Sequence, residues 1–182
     1  MSKTLLRVAL GLALANAAVP ALAKNPMVGG APMYASKTIV ENAVNSKDHT
    51  TLVAAVKAAG LVETLSGPGP FTVFAPTNAA FAKLPPGTVE TLVQPQNKAQ
   101  LTGILTYHVV PGALTAKDLA ALAKQGGGRA VIKTVNGASL SVETEGKKVF
   151  VTDAKGNTAT VTIANVMQSN GVIHVINGVL QP

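Results

Sequence analysis

Three histidines, His49, His108 and His174, are the side chains best suited to proton transfer or metal binding in this sequence, and each stands alone. A zinc site needs about four ligands within reach, drawn from Cys, His, Asp and Glu. The chain has no cysteine and its histidines are widely separated, so no metal site is expected and thiol chemistry is excluded. His108, Asp118 and Asp153 coexist with several serines, yet the Gly-x-Ser-x-Gly turn that would expose a nucleophile is missing. Gly126-Gly127-Gly128 lacks the Lys-Ser/Thr that completes a phosphate-binding loop and reads as a flexible connection. These residues give no reason to expect a catalytic centre or a cofactor.

The elements that carry these residues are legible from periodicity. Asp48 can cap a helix with Leu52, Val56 and Ala59 on one face, and Gly60 suits the left-handed position past its end. Phe71-Thr72-Val73-Phe74 follows the loop Ser66-Gly67-Pro68-Gly69-Pro70 and reads as a strand. Thr77 or Asn78 can then cap a short helix bearing Phe81 and Leu84, which Pro85-Pro86 ends. Pro95 suits the first turn of a helix to about Thr106, with Leu101, Ile104 and Leu105 inward.

Tyr107-His108-Val109-Val110 reads as the next strand. Tyr107 and His108 should then point to opposite faces, one toward the core and one nearer the surface. A hydrogen-bonded structural role is the favoured reading of His108. After a helix around residues 116–123 the pattern changes to alternation through Val131, Leu140, Val142, Val149, Val151, Val161 and Ile163. The turn signals Asn136-Gly137, Asp153 to Asn157 and Asn170-Gly171 divide it into antiparallel hairpins. His174 should share a strand face with Val172 and Ile176, as a packed, hydrogen-bonded histidine. Helices first and strands last indicate an α+β domain.

The N-terminus reads as an address. Lys3 and Arg7 form a positive region, Val8 to Leu14 an apolar one, and Ala21-Leu22-Ala23 a cleavage site, so residues 1–23 are expected to be a secretory signal peptide. Residues 24–36 mix Pro, Gly and Met without period and are expected to be a flexible tether, leaving residues 37–182 as one domain. No later apolar run is long enough to span a bilayer, so stable membrane insertion after cleavage is not expected. The formal charge of +7 falls to +5 when Lys3 and Arg7 are removed. With aromatics at 3%, that modest charge argues against nucleic-acid binding.

Three segments, taken in order and spacing, resemble the fasciclin-like domain, in its secreted bacterial single-domain form. They are Phe71-Thr72-Val73-Phe74-Ala75-Pro76-Thr77-Asn78, Tyr107-His108-Val109-Val110-Pro111-Gly112, and Asn170-Gly171-Val172-Ile173-His174-Val175-Ile176-Asn177-Gly178-Val179-Leu180. The resemblance spans about residues 37–182. It implies a wedge of two small, mainly antiparallel β-sheets with helices packed around them. It also implies a non-enzymatic adhesion role in secreted or surface proteins, including periostin-like animal proteins and secreted bacterial antigens. In animal members a Tyr-His segment and an acidic-aliphatic-Met segment are linked to integrin binding. By that resemblance the candidate partner-binding residues are Tyr107, His108, Asn165, Val166 and Met167, although Asn165 lacks the acidic group.

The function expected is a secreted or periplasmic adhesion or protein-interaction module whose partner is a cell-surface or matrix protein or polymer. The alternative is a soluble envelope protein that binds a glycan or small molecule in a cleft. Enzymatic activity is not expected.

Overall fold

The computed structural model describes residues 25–182; the expected signal peptide, residues 1–23, lies outside them. The stretch expected to be a tether is folded into the domain. Strands β1 (Met27–Val28) and β2 (Ala31–Pro32) form an antiparallel ribbon around Gly29 and Gly30, whose φ values of 58° and 77° are the left-handed conformation that glycine adopts freely. A side chain at Gly29 would also run into Ser46 and the main chain at Asp48. The ribbon turns Val28 and Met33 into the core, at 3% and 2% exposure. Two isolated apolar residues among Pro and Gly carry no period, which is why the segment looked unstructured.

Helices α1 (Ile39–Ala43), α2 (Thr50–Ala59) and α3 (Val62–Ser66) follow. The Thr38 side chain and Glu41 form a reciprocal capping box on α1. Asp48 does not cap α2 as expected; it lies in a tight 3-10 turn, Lys47–His49, that leads into the helix. Gly60 ends α2 in the left-handed conformation, as its sequence position implied. Strand β3 (Phe71–Pro76) leads to α4 (Asn78–Phe81), where Thr77 Oγ1 accepts from the Ala80 N–H. Helices α5 (Thr88–Leu92) and α6 (Lys98–Tyr107) precede β4 (Val109–Pro111). Helix α7 (Ala116–Gln125) starts at a second capping box, Thr115 with Asp118.

The remaining strands are β5 (Arg129–Lys133), β6 (Ser139–Glu145), β7 (Lys148–Thr152), β8 (Thr158–Gln168) and β9 (Gly171–Ile176). The α+β class holds, but the expected pair of small sheets is one seven-stranded sheet, ordered β4-β3-β9-β8-β7-β6-β5, beside the small ribbon. Strand β8 makes it continuous. It pairs with β7 over Thr158 to Thr160 and with β9 over Val161 to Gln168, with register shifts on either side of Ile163. Bulges of this kind bend a strand and increase its twist, so one strand serves both halves. All neighbours are antiparallel except β3 and β9, which run parallel with Phe71 opposite Gly171 and Pro76 opposite Ile176.

The core divides across this sheet. Ile39, Leu52, Val56, Val73, Leu105 and Ile173 pack on the side of α1, α2 and α6. Phe74, Tyr107, Leu119, Leu140, Val151 and Ile176 pack on the side of α7 and the hairpins. Strand β9 is buried at every position, as expected for a strand covered on both faces. Phe74 is fully buried; removing such a side chain from water contributes about 1.5–3 kcal/mol. In β5 the inward residues are Ala130 and Ile132, while Val131, expected to belong to the apolar series, faces solvent at 68% exposure.

Candidate functional site

The Tyr107-His108 pair is not in a strand. Tyr107 is the last residue of α6, His108 is its C-cap, and β4 starts at Val109. The alternation that would have exposed one of them therefore does not apply, and both are buried, at 0% and 2% exposure. The Tyr107 hydroxyl donates to the Ser139 carbonyl and accepts from the Ala154 N–H, each at 2.9 Å. It pins the helix end to two strand termini, and burial raises its pKa above the ordinary value.

His108 is equally committed. Its Nδ1 lies 2.9 Å from the Ile104 carbonyl, and its Nε2 accepts from the Leu180 N–H at 3.0 Å. A carbonyl can only accept and an N–H can only donate, so the imidazole is neutral with its proton on Nδ1. Burial holds its pKa down at about 4, against smaller upward pulls from the Ile104 carbonyl and the Asp153 charge. Neither nitrogen is left to take a proton from a substrate. Asp153 is occupied too: its carboxylate accepts from the main-chain N–H groups of Lys155, Asn157 and Gln181 and from Asn157 Nδ2. Asp118 is held at the start of α7 by Thr115, whose hydrogen bonds lower its pKa. His108 and the aspartates are structural fasteners in this arrangement, and no proton relay is built from them.

The second candidate segment divides by residue. Asn165 has φ 59°, a left-handed conformation unusual for any residue but glycine. It sits at the bulge of β8, and its Oδ1 accepts from the Ala116 N–H at 2.7 Å, tying the bent strand to the first turn of α7. Its main-chain N–H lies 3.4 Å from His174 Nδ1, whose ring donates through Nε2 to the Leu114 carbonyl at 2.8 Å. His174 stacks on Phe74 with centroids 5.7 Å apart, and burial lowers its pKa despite the Leu114 carbonyl. It is the packed, hydrogen-bonded histidine that its alternation implied. Val166 is fully buried, whereas Met167 is 44% exposed.

Met167 borders a shallow groove of about 390 Å³ shared with Pro68, Gly69, Pro70, Ala113 and Asn170. The three sequence segments that carry the resemblance meet at this end of the sheet, because Phe71 pairs with both Pro111 and Gly171. Asn170, read from sequence only as part of a turn, is what holds the groove together. Its Oδ1 accepts from the Ile39 N–H, and its Nδ2 donates to the carbonyls of Leu65 and Gly67. Asn42 Nδ2 donates to Gln168 Oε1, a buried amide pair that joins α1 to the end of β8. The position of Asn170 before a glycine, inside the last recognisable segment, was the available signal for it.

His49 is the third histidine. It is 3% exposed, with Nδ1 at 2.9 Å from Ser46 Oγ and Nε2 without a partner among the described residues. Burial lowers its pKa; the Ala75 carbonyl and Asp48 oppose this, the former without completing a hydrogen bond. Among the described residues no group of three or more His, Asp or Glu side chains is arranged to hold a metal, and no helix is long and apolar enough to cross a membrane.

The α+β domain, with its Tyr107-His108 and Asn170-Gly171 segments buried, is similar to known structures and families. The chain superimposes on the structure of a FAS1 domain pair from the insect cell adhesion molecule Fasciclin I with a TM-score of 0.72 at 21% identity, over 80% of this chain and 51% of that one. It thus spans about half of that two-domain structure. The model of the fasciclin domain matches residues 47–182, and the chain belongs to the fasciclin domain family. It is 49% identical over 175 residues to protein sll1483 of Synechocystis, covering 96% of this chain and 90% of that protein. It is also 38% identical over 145 residues to the immunogenic protein MPB70 of Mycobacterium bovis, covering 77% and 66%. With the transforming growth factor-beta-induced protein ig-h3 of Sus scrofa it shares 37% identity, over 80% of this chain but 19% of that protein.

Proposed function

We propose that this protein is a non-enzymatic interaction module that works outside the cytoplasm, secreted or periplasmic, and binds a cell-surface or matrix component through the groove beside Met167. Family membership supports the general role, since the family includes an insect cell adhesion molecule. The observation that carries the choice of surface is the exposure of Met167 at 44% where Tyr107, His108 and Val166 are buried. Methionine suits such a surface because its unbranched, polarisable side chain adapts to different partners. Asn165 shapes the strand behind it, and Tyr107 and His108 support the fold.

The test is co-sedimentation of the purified protein with isolated envelope or matrix material, comparing wild type with Met167→Glu. A charge placed in an apolar contact should lower the retained fraction about fivefold or more. Equal retention of the two proteins would remove this surface from consideration.

A further inference from the structure

A second surface is larger and differently equipped. A cleft of about 530 Å³ lies between the end of α4, the turn joining β7 to β8, and the chain after β9. That size falls in the range of roughly 300–1,000 Å³ typical of ligand sites. Lys83 reaches it from the α4 side and Lys155 from the turn, and both are exposed. Lys83 Nζ donates to the Asn177 carbonyl at 2.7 Å, and Lys155 Nζ to Gln181 Oε1 at 3.3 Å. Both ammonium groups therefore rest on neutral acceptors. The ion pair found among the described residues is elsewhere, between Arg129 and Glu143.

The rest of the lining decides the kind of partner. Leu84, Pro85 and Val179 give the cleft an aliphatic wall, and no aromatic ring lines it. Sugars are usually held against aromatic faces, so this wall favours aliphatic side chains over a glycan.

We propose that this cleft binds a segment of a partner protein that carries both acidic and aliphatic side chains. The acidic groups meet Lys83 and Lys155, and the aliphatic ones pack on Leu84, Pro85 and Val179. The site is separate from the Met167 groove, so either reading can fail without the other.

The experiment is fluorescence anisotropy with a labelled pentapeptide, Glu-Val-Glu-Val-Glu, titrated with the full chain at about 25 and 200 mM salt. The expected result is saturable binding that weakens at the higher salt, weakens about tenfold in K83E/K155E, and is unchanged in Met167→Glu. K83M/K155M, which removes charge without reversing it, should weaken binding in the same direction and serves if the reversed variant does not fold. An absence of saturable binding, or binding indifferent to both lysine variants, would overturn the proposal. So would an oligogalacturonate that binds as well as the peptide and depends on the same lysines, since the cleft would then read acidic sugars.

Discussion

Replacing His108 with Gln keeps a donor and an acceptor in the buried site but removes its titration. An unfolded histidine titrates near 6.5, whereas burial holds His108 at about 4 in the native chain. Between those values the unfolded chain takes up a proton that the native chain does not, so stability falls as pH is lowered through the window. Above pH 6.5 neither state is protonated and His108 adds no pH dependence; below about 4 both are protonated and the loss is complete. The separation of about 2.5 units corresponds to about 3 kcal/mol, at about 1.36 kcal/mol per unit. His174 and His49 are also lowered by burial and act in the same direction in both proteins. Glu41 and Asp118, lowered by their capping hydrogen bonds, contribute stability that is lost as pH falls below their ordinary values of 4.5 and 3.8, in both proteins alike.

The assay is urea unfolding in steps from about pH 7.5 to 4.5. At the upper end H108Q should be less stable by about 1–2 kcal/mol, because Gln cannot reproduce both hydrogen bonds at full length. Near pH 5 its stability should fall less steeply than that of wild type, by about 1.4 kcal/mol per unit, so the two curves converge on acidification. Parallel curves would show that His108 is not held neutral by burial and would refute the reasoning.

Two further changes test the fold beneath the candidate surfaces. Tyr107→Phe removes a hydroxyl that serves Ser139 and Ala154 and should cost about 2 kcal/mol, seen as a melting temperature lower by about 4–8 °C; retention on envelope material should be unchanged, and a binding defect without a stability loss would return Tyr107 to the list of contact residues. Met33→Ala should lower stability by about 2–4 kcal/mol in urea, whereas Met27→Ala, at an exposed position, should change it by less than about 0.5 kcal/mol. Similar effects for both would mean that the ribbon is not part of the core.

Elements with a clear period and a matching cap were readable from sequence, as in α2 with its Gly60 terminator, β3, and the hairpins around Asn136-Gly137 and Asp153 to Asn157. The boundary at Tyr107 was not. Leu101 and Leu105 carry the helical period to the end of α6, while Val109 and Val110 have strong strand character, and nothing local decides which pattern owns the two residues between them. Packing decides: Tyr107 reaches Ser139 and Ala154, contacts remote in sequence that no window around residue 107 contains. The continuity of the sheet was hidden for a related reason. The bulge at Ala164-Asn165 breaks the alternation of β8, so one long strand reads like two. Of the candidate partner residues, Met167 lies exposed, Tyr107, His108 and Val166 are buried, and Asn165 ties the bulge of β8 to α7.

Strand β8 belongs to both halves of the sheet, and this determines how the domain comes apart. Each half would lose a strand if β8 left with the other, so neither can open alone as a smaller stable body. Amide hydrogens along β8 and β9 can then exchange with solvent only through complete unfolding. A load on the chain would then meet one yield point for the whole module.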